Sequence, residues 1–182
     1  MRIRLLRVLL ALCIVAPGCL VRSLQPLFTP SDLAVEPRLL GTWQEEGDDE
    51  TWSVIGSGEK TYDVMCRDGN KSTYLEGRLG KVDEILFLDI TPKESDDAFT
   101  VPAHVFVRLE ISGDTLRAGV LKPEWLADGL REKRVQIGHT LVRIGQEPSV
   151  VLTAPTEEIR AFLKRVVREE NAFSIGEYHR VK

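Results

Sequence analysis

The feature that most constrains the fold is a succession of short runs, beginning at Gly41, in which apolar and polar side chains alternate. A period of two places the apolar side chains on one face of a β-strand. Hairpin signals such as Asp68-Gly69-Asn70 separate the runs at intervals of roughly 8–12 residues. The pattern predicts short antiparallel strands that follow one another along the chain. The predicted strands cover residues 41–46, 51–55, 60–67, 72–81, 84–90, 101–112, 115–122, 135–144 and 150–153.

Two helices interrupt or follow this pattern. Pro123 suits the first position of a short helix that is inserted before the late strands. Residues 153–168 have apolar side chains at helical spacing, including Ile159, Phe162 and Val166, and form the predicted C-terminal amphipathic helix. Since helices do not alternate with strands, the predicted fold class is mainly β: an antiparallel meander closing into a barrel, with one short inserted helix and one C-terminal helix.

The start of the chain predicts export. Arg2, Arg4 and Arg7 precede an apolar run over residues 8–16 that is too short to span a bilayer, and Pro17 and Gly18 end it. We therefore expect residues 1–18 to be a signal peptide. Residues 19–36 then form a tether and N-terminal arm, residues 37–170 the barrel domain with its C-terminal helix, and residues 171–182 a tail.

The cleavage site suggests where the mature protein is held. Ala16-Pro17-Gly18-Cys19 resembles the lipobox of bacterial lipoproteins, which implies that Cys19 becomes the lipidated first residue. The resemblance implies a cell-envelope protein anchored to a membrane through its N-terminal lipid, either on the outer membrane facing the periplasm or at the cell surface. Ordinary cleavage at the same bond, giving a free secreted protein, remains the alternative.

Charge excludes one class of partner. The full chain has a net charge of −4, and without residues 1–18 it has 21 basic and 28 acidic side chains, a net charge of −7. Nucleic-acid binding requires a basic surface to neutralise phosphates, so we expect no nucleic-acid partner.

The first strand contains a motif with a family resemblance. Gly41-Thr42-Trp43 resembles the Gly-x-Trp signature of the calycins, which include the lipocalins, and the likeness extends over residues 37–170. The resemblance implies a barrel that Trp43 plugs at one end, beneath an arginine from a late strand. Arg143 is the candidate for that arginine by its order along the chain. A looser likeness to small exported bacterial lipoproteins of unassigned function rests on Leu39-Leu40-Gly41-Thr42-Trp43.

Residues with catalytic or metal-binding potential do not form a recognisable motif. His104, His139 and His179 lack the paired spacing of metal ligands, and the acidic residues 45–50 and 94–97 fall in turns. Ser57 lies in a Gly-Ser-Gly turn without the pattern of a nucleophile elbow. We expect no catalytic residue, no metal and no cofactor.

Two functions stay open. A lipocalin-like barrel can bind a small apolar ligand, and five aromatic side chains are candidates to line its cavity. A barrel filled by its own side chains would instead serve as an envelope protein-interaction or inhibitor module. The five candidates are Trp43, Trp52, Tyr62, Tyr74 and Phe106.

Overall fold

A computed structural model describes residues 20–93, 102–144 and 147–181, with only the backbone described for Ile144, Glu147 and Pro148. The predicted signal peptide, Cys19 and the acidic residues 94–97 lie outside the described residues.

Eight of the eleven described strands form a closed antiparallel barrel in the order β11-β2-β3-β4-β5-β6-β7-β8. The predicted barrel with two helices is confirmed. The barrel strands are β2 (Gly41–Glu45), β3 (Thr51–Gly56), β4 (Thr61–Asp68), β5 (Lys71–Val82), β6 (Ile85–Pro92), β7 (Val105–Ser112), β8 (Thr115–Leu121) and β11 (Phe173–Arg180). The helices are α1 (Pro123–Arg131) and α2 (Thr156–Val166).

Short turns explain why most neighbouring strands from β2 to β8 pair in sequence order, whereas residues 93–104 separate β6 from β7. In the β4–β5 hairpin, Asp68 pairs with Lys71 across Gly69-Asn70, and Gly69 has a φ of 54°. The β5–β6 turn uses Asp83 and Glu84, both with positive φ, between the paired residues Val82 and Ile85. Positive φ at the first central residue, as at Gly69, or at both, as at Asp83 and Glu84, gives a turn whose twist matches that of the strands. Each turn therefore fixes the register of its hairpin.

The predicted tail is wrong. Residues 173–180 form β11, which pairs with β8 on one side and with β2 on the other, and so closes the barrel. Ser174, Gly176 and Tyr178 alternate with residues on the outer face, which is the period expected of a strand. Ser174 and Gly176 on the inner face are not hydrophobic, so the hydrophobic alternation of this segment is carried by Phe173 and Ile175 on its outer face.

The predicted closing strands belong to another sheet. β9 (His139–Ile144) and β10 (Glu147–Leu152) pair with each other, and β10 also pairs in parallel with β1 (Arg22–Ser23). This three-stranded sheet has the order β1-β10-β9, so β9 is an edge strand within the described chain. The chain leaves the barrel after β8, builds α1, β9, β10 and α2, and returns as β11.

The fold has two apolar cores. The inner core fills the barrel and includes Trp43, Leu79 and Leu109. The outer core lies between the outer wall of the barrel and the elements that cover it. It joins Phe87 and Phe173 on that wall to Phe162 of α2 and to the N-terminal arm.

Residues 20–36 do not form a free tether. Leu20 and Val21 are 4% and 8% exposed, and Leu27 and Phe28 are buried in the outer core. Phe28 lies against Gly80 of β5, where a Cβ would collide with its ring. The arm is therefore packed on the barrel from its first described residue.

Candidate functional site

The barrel interior is the candidate site. Residues that pair across neighbouring strands lie on the same face of the sheet. Trp43 pairs with Trp52, and Trp52 pairs with Cys66, so all three lie on the inner face of the barrel. The same alternation brings Tyr178 of β11 to the inner face, where it pairs with Glu45 and Leu116. The interior has two chemically different ends and an apolar middle.

Trp43 closes one end. Its side chain is 0% exposed, and its Nε1 donates a hydrogen bond to the carbonyl of Leu39 at 2.9 Å. Leu39 ends a 3-10 turn, Pro37–Leu39, and is itself buried among the inner-core residues. The turn and the indole therefore pack together where the chain enters β2.

Arg180 lies over the Trp43 ring, with its guanidinium carbon 4.3 Å from the ring centroid. Its Nη1 donates to the carbonyl of Leu40 at 2.5 Å and its Nη2 to that of Arg38 at 2.8 Å. Gly41 has a φ of 134°, and a Cβ at Gly41 would collide with Arg180 Nη1. The Gly-x-Trp motif is thus explained by the space that the arginine needs and by the backbone conformation.

Arg143 does not take this role. It lies on β9 in the three-stranded sheet, pairs with Pro148 and is exposed. Arg180 takes the position predicted for Arg143 because β11, rather than β9, is the last strand of the barrel. A hydrophobic alternation over residues 173–180 was the signal that could have identified it.

An apolar cavity of about 60 Å³ remains in the middle of the barrel. Its wall includes Trp43, Val64, Leu88, Val107, Ala118 and Tyr178. Ligand pockets for drug-sized molecules measure roughly 300–1,000 Å³. The barrel is therefore mostly packed, with room for an apolar group of a few carbon atoms.

Glu50 marks the second, polar end of the interior. It is 6% exposed, and its Oε1 accepts hydrogen bonds from Trp52 Nε1 at 2.8 Å and from Cys66 Sγ at 3.0 Å. Burial raises the pKa of the Glu50 carboxyl, although the two donors oppose the rise. Burial also raises the pKa of the Cys66 thiol, and the neighbouring carboxylate adds to it. Cys66 is therefore an unreactive thiol at neutral pH.

Tyr178 lies near the same end. Burial, followed by the negative charge of Glu45 and Glu50, raises the pKa of its phenol. The phenol thus keeps its proton at neutral pH and can act as a hydrogen-bond donor. The polar end offers carboxylate acceptors and the hydroxyl donor of Tyr178 beside an apolar space.

Of the five aromatic residues that were candidates to line the cavity, three lie inside the barrel and two lie on its outer face. Trp43 and Trp52 do line it, and Tyr62 is buried in the inner core. Tyr74 lies on the outer wall and is 61% exposed, and Phe106 is buried in the outer core. The predictions for Tyr74 and Phe106 are wrong because both residues fall on the outer face of their strands.

A buried polar pair lies outside the barrel. Asp89, 2% exposed, accepts a hydrogen bond from Leu27 N at 2.8 Å through Oδ2, and its Oδ1 lies 2.8 Å from His104 Nδ1. The backbone of His104 also exchanges two hydrogen bonds with Ser23. These contacts bind the arm to β6 and to the residues ahead of β7.

The other candidate groups remain apart. His139 Nδ1 lies 2.9 Å from the carbonyl of Ile137 on the exposed surface, and His179 is an exposed residue of β11. Ser57 lies in the turn between β3 and β4. Within the described ranges, no group of three or more His, Cys, Asp or Glu side chains is arranged to bind a metal.

Comparisons with known proteins give no match: no family model, no curated protein and no solved structure resembles this chain significantly. Neither helix of the described residues has the length and hydrophobicity needed to span a membrane.

Proposed function

We propose that this is an exported, lipid-anchored and non-enzymatic protein whose calycin-like barrel binds a small apolar group. Export and anchoring are supported by the arginine-rich start, the short apolar run and the lipobox-like Gly18-Cys19. Its place is the cell envelope, on the outer membrane facing the periplasm or at the cell surface.

The geometry of the closed end supports kinship with the calycins. Gly41 and Trp43 stand at the start of the first barrel strand, after a 3-10 turn. Arg180, from the last barrel strand, lies over the indole. This is the arrangement that the resemblance implies, with Arg180 in place of Arg143.

The apolar cavity carries the ligand proposal. Among the described residues, no polar side chain other than Tyr178 and the tryptophans borders it, and apolar cavities of this kind stay dry and accept apolar guests. Its 60 Å³ volume restricts the guest to a short aliphatic group, either a whole small molecule or the end of a longer chain. A larger ligand would need Trp52 or Leu39 to move.

Xenon binding tests this cavity directly. We expect xenon to shift the methyl NMR signals of Val64, Leu88 and Val107 and to leave the methyl signals of the outer core unchanged. Ala118→Val fills the cavity and abolishes the shifts, whereas Ala103→Val, the same change ahead of β7, preserves them. Unchanged spectra of the wild-type protein would refute an accessible interior. Native mass spectrometry of envelope-extracted protein would then identify a retained ligand.

Acyl labelling tests the anchor. We expect Cys19→Ala to abolish acyl labelling and to release the protein from membranes, and Cys66→Ala to change neither. Membrane retention and labelling that survive Cys19→Ala would refute anchoring through this residue.

A second candidate is a protein-interaction module. Ile55 and Tyr74, 60% and 61% exposed, lie with Met65 around a shallow depression on the outer wall of β3, β4 and β5. Exposed apolar patches favour partner binding. Crosslinking in intact cells should yield a discrete adduct from a label at Ser53, lost in Ile55→Lys and kept in Val35→Lys. The absence of any adduct would count against this candidate.

A further inference from the structure

The described chain is packed from Leu20 onwards, and Leu20 directly follows Cys19, the proposed site of lipid attachment. Leu20 is 4% exposed and is directly followed by buried Val21. Bonded residues have their Cα atoms about 3.8 Å apart. Because Cys19 is bonded to Leu20, acyl chains on Cys19 are attached one residue from the packed chain, with no linker residues between them.

The arm that follows is firmly bound. Ser23 N donates to His104 O at 2.9 Å, and Leu24 N donates to Leu152 O at 3.0 Å. Further along, Leu27 N donates to the buried carboxylate of Asp89. A flexible linker would let the domain move freely at the end of its anchor, but these contacts fix the point of lipid exit on the folded surface.

The surface beside this point belongs to the second sheet. β1 pairs in parallel with β10, with Arg22 opposite Val151, so Leu20 lies towards the beginning of β10. There β10 pairs with the end of β9, whose Leu141 is 66% exposed and whose Arg143 is also exposed. An exposed leucine suits the boundary between headgroups and acyl chains, and an arginine suits lipid phosphates.

The side of the barrel opposite the arm carries acidic side chains. Ser23 of the arm pairs with His104, which lies just ahead of β7. In the eight-stranded barrel β3 lies four strands from β7, and is therefore on the side opposite the arm. The turn that leads into β3 contains the exposed acidic residues Glu46 and Asp49, whose charge disfavours an anionic bilayer. Ile55 of β3 is also on that side.

We propose that the anchored domain rests on the lipid bilayer with the β9 edge of the second sheet against the headgroups, and presents the β3 side of its barrel to the aqueous phase. This inference rests on the proposed anchoring through Cys19, and it adds a fixed orientation to it. Leu141 and Arg143 are the contact residues, and phospholipid is the partner.

Site-directed spin labelling of the acylated full chain tests the orientation. Leu141→Cys and Ile55→Cys are each labelled in a Cys66→Ala background and bound to vesicles of phosphatidylethanolamine and phosphatidylglycerol. On vesicles, the label at position 141 should become less accessible to an aqueous nickel chelate and more accessible to dissolved oxygen. The label at position 55, an equally exposed strand residue, should keep its solution values.

A linker variant separates anchoring from docking. Sixteen Gly and Ser residues inserted after Cys19 give a tether of roughly 20–24 Å, which should restore the solution values at position 141 while the protein stays membrane-bound. Acylated protein whose position 141 keeps its solution values on vesicles would overturn the orientation alone. Protein that lacks the acyl mass would overturn the anchor and the orientation together.

Discussion

The two apolar cores of this protein differ in how they are assembled and in how well they are filled. The inner core is enclosed by strands that mostly follow one another in hairpins, yet it keeps a cavity of about 60 Å³. The outer core gathers the arm, α2 and the barrel wall from distant parts of the chain, and a void among Val21, Phe106 and Leu163 measures only about 10 Å³.

We interpret this difference as two roles: the inner core leaves space for a ligand, and the outer core holds separate segments together. Space for a guest is left where the barrel itself is already closed by hydrogen bonds, so the strands can tolerate incomplete packing. The void among Val21, Phe106 and Leu163 is smaller, and there separate segments depend on side-chain contacts to stay together. A ligand is therefore expected in the inner core, whereas the outer core holds the N-terminal arm on the barrel.

The largest expected effect is in the outer core. Phe162→Ala removes a side chain that is 1% exposed at the centre of the packed face of α2, and should lower the free energy of unfolding by about 3–5 kcal/mol. Denaturant unfolding measures the loss. Tyr74→Ala, on the exposed outer wall, should change stability by less than about 0.5 kcal/mol. Similar losses in the two variants would contradict the contrast in packing.

Asp89→Ala tests the polar link between the arm and the barrel. Each buried donor left without its acceptor, Leu27 N and the His104 ring, should cost about 1–3 kcal/mol. We expect limited proteolysis to cut within residues 20–28 of the variant but not of the wild type. Asp128→Ala, which removes an exposed ion pair with Arg131, is the control. An arm that stays protected in Asp89→Ala would show that its backbone hydrogen bonds and apolar contacts hold it without this carboxylate.

Arg180→Met tests the closed end of the inner core. The variant keeps a long apolar side chain but loses the contact with the Trp43 ring and two charged hydrogen bonds, so we expect a loss of about 2 kcal/mol. The near-ultraviolet circular dichroism of Trp43 should change as well. Arg143→Met, on the exposed edge strand, should leave both unaltered; a comparable effect there would restore Arg143 to the role of plug partner.

The smallest effect concerns pH. The folded-state pKa of Glu50 is raised above its ordinary value of 4.5, so the fold holds this proton more tightly than the unfolded chain does. Its contribution is present below pH 4.5 and declines as pH rises through the folded-state pKa. Denaturation at several pH values should show Glu50→Gln gaining stability over wild type as pH rises above 4.5.

Glu36 provides the opposite control. Hydrogen bonds from Arg38 lower the pKa of Glu36 to about 2, so its contribution is present above pH 4.5 and lost as pH falls towards 2. Glu36→Gln should therefore lose stability relative to wild type at neutral pH and match it in acid. The same pH trend in both variants would contradict the assignment of Glu50 to a buried environment.

Local patterns predicted a large part of this fold. The strands from β2 to β8 lie within a few residues of their predicted ranges, because alternation and turn chemistry act over neighbouring residues. Asp68-Gly69-Asn70 fixes the β4–β5 hairpin, and Pro123 begins α1 as expected. Trp43 is buried in the inner core. These features need only short-range information.

Only the tertiary structure decided which segment closes the barrel and which groups meet at the candidate site. β11 pairs with β2 across more than a hundred residues, and Arg180 rather than Arg143 reaches Trp43. Asp89 meets Leu27 from 62 residues away. Such pairings depend on how whole elements pack against each other. The sequence determined the hairpins and the first barrel strand with its buried Trp43, whereas three-dimensional closure determined the arginine that contacts Trp43, the size of the cavity and the binding of the arm.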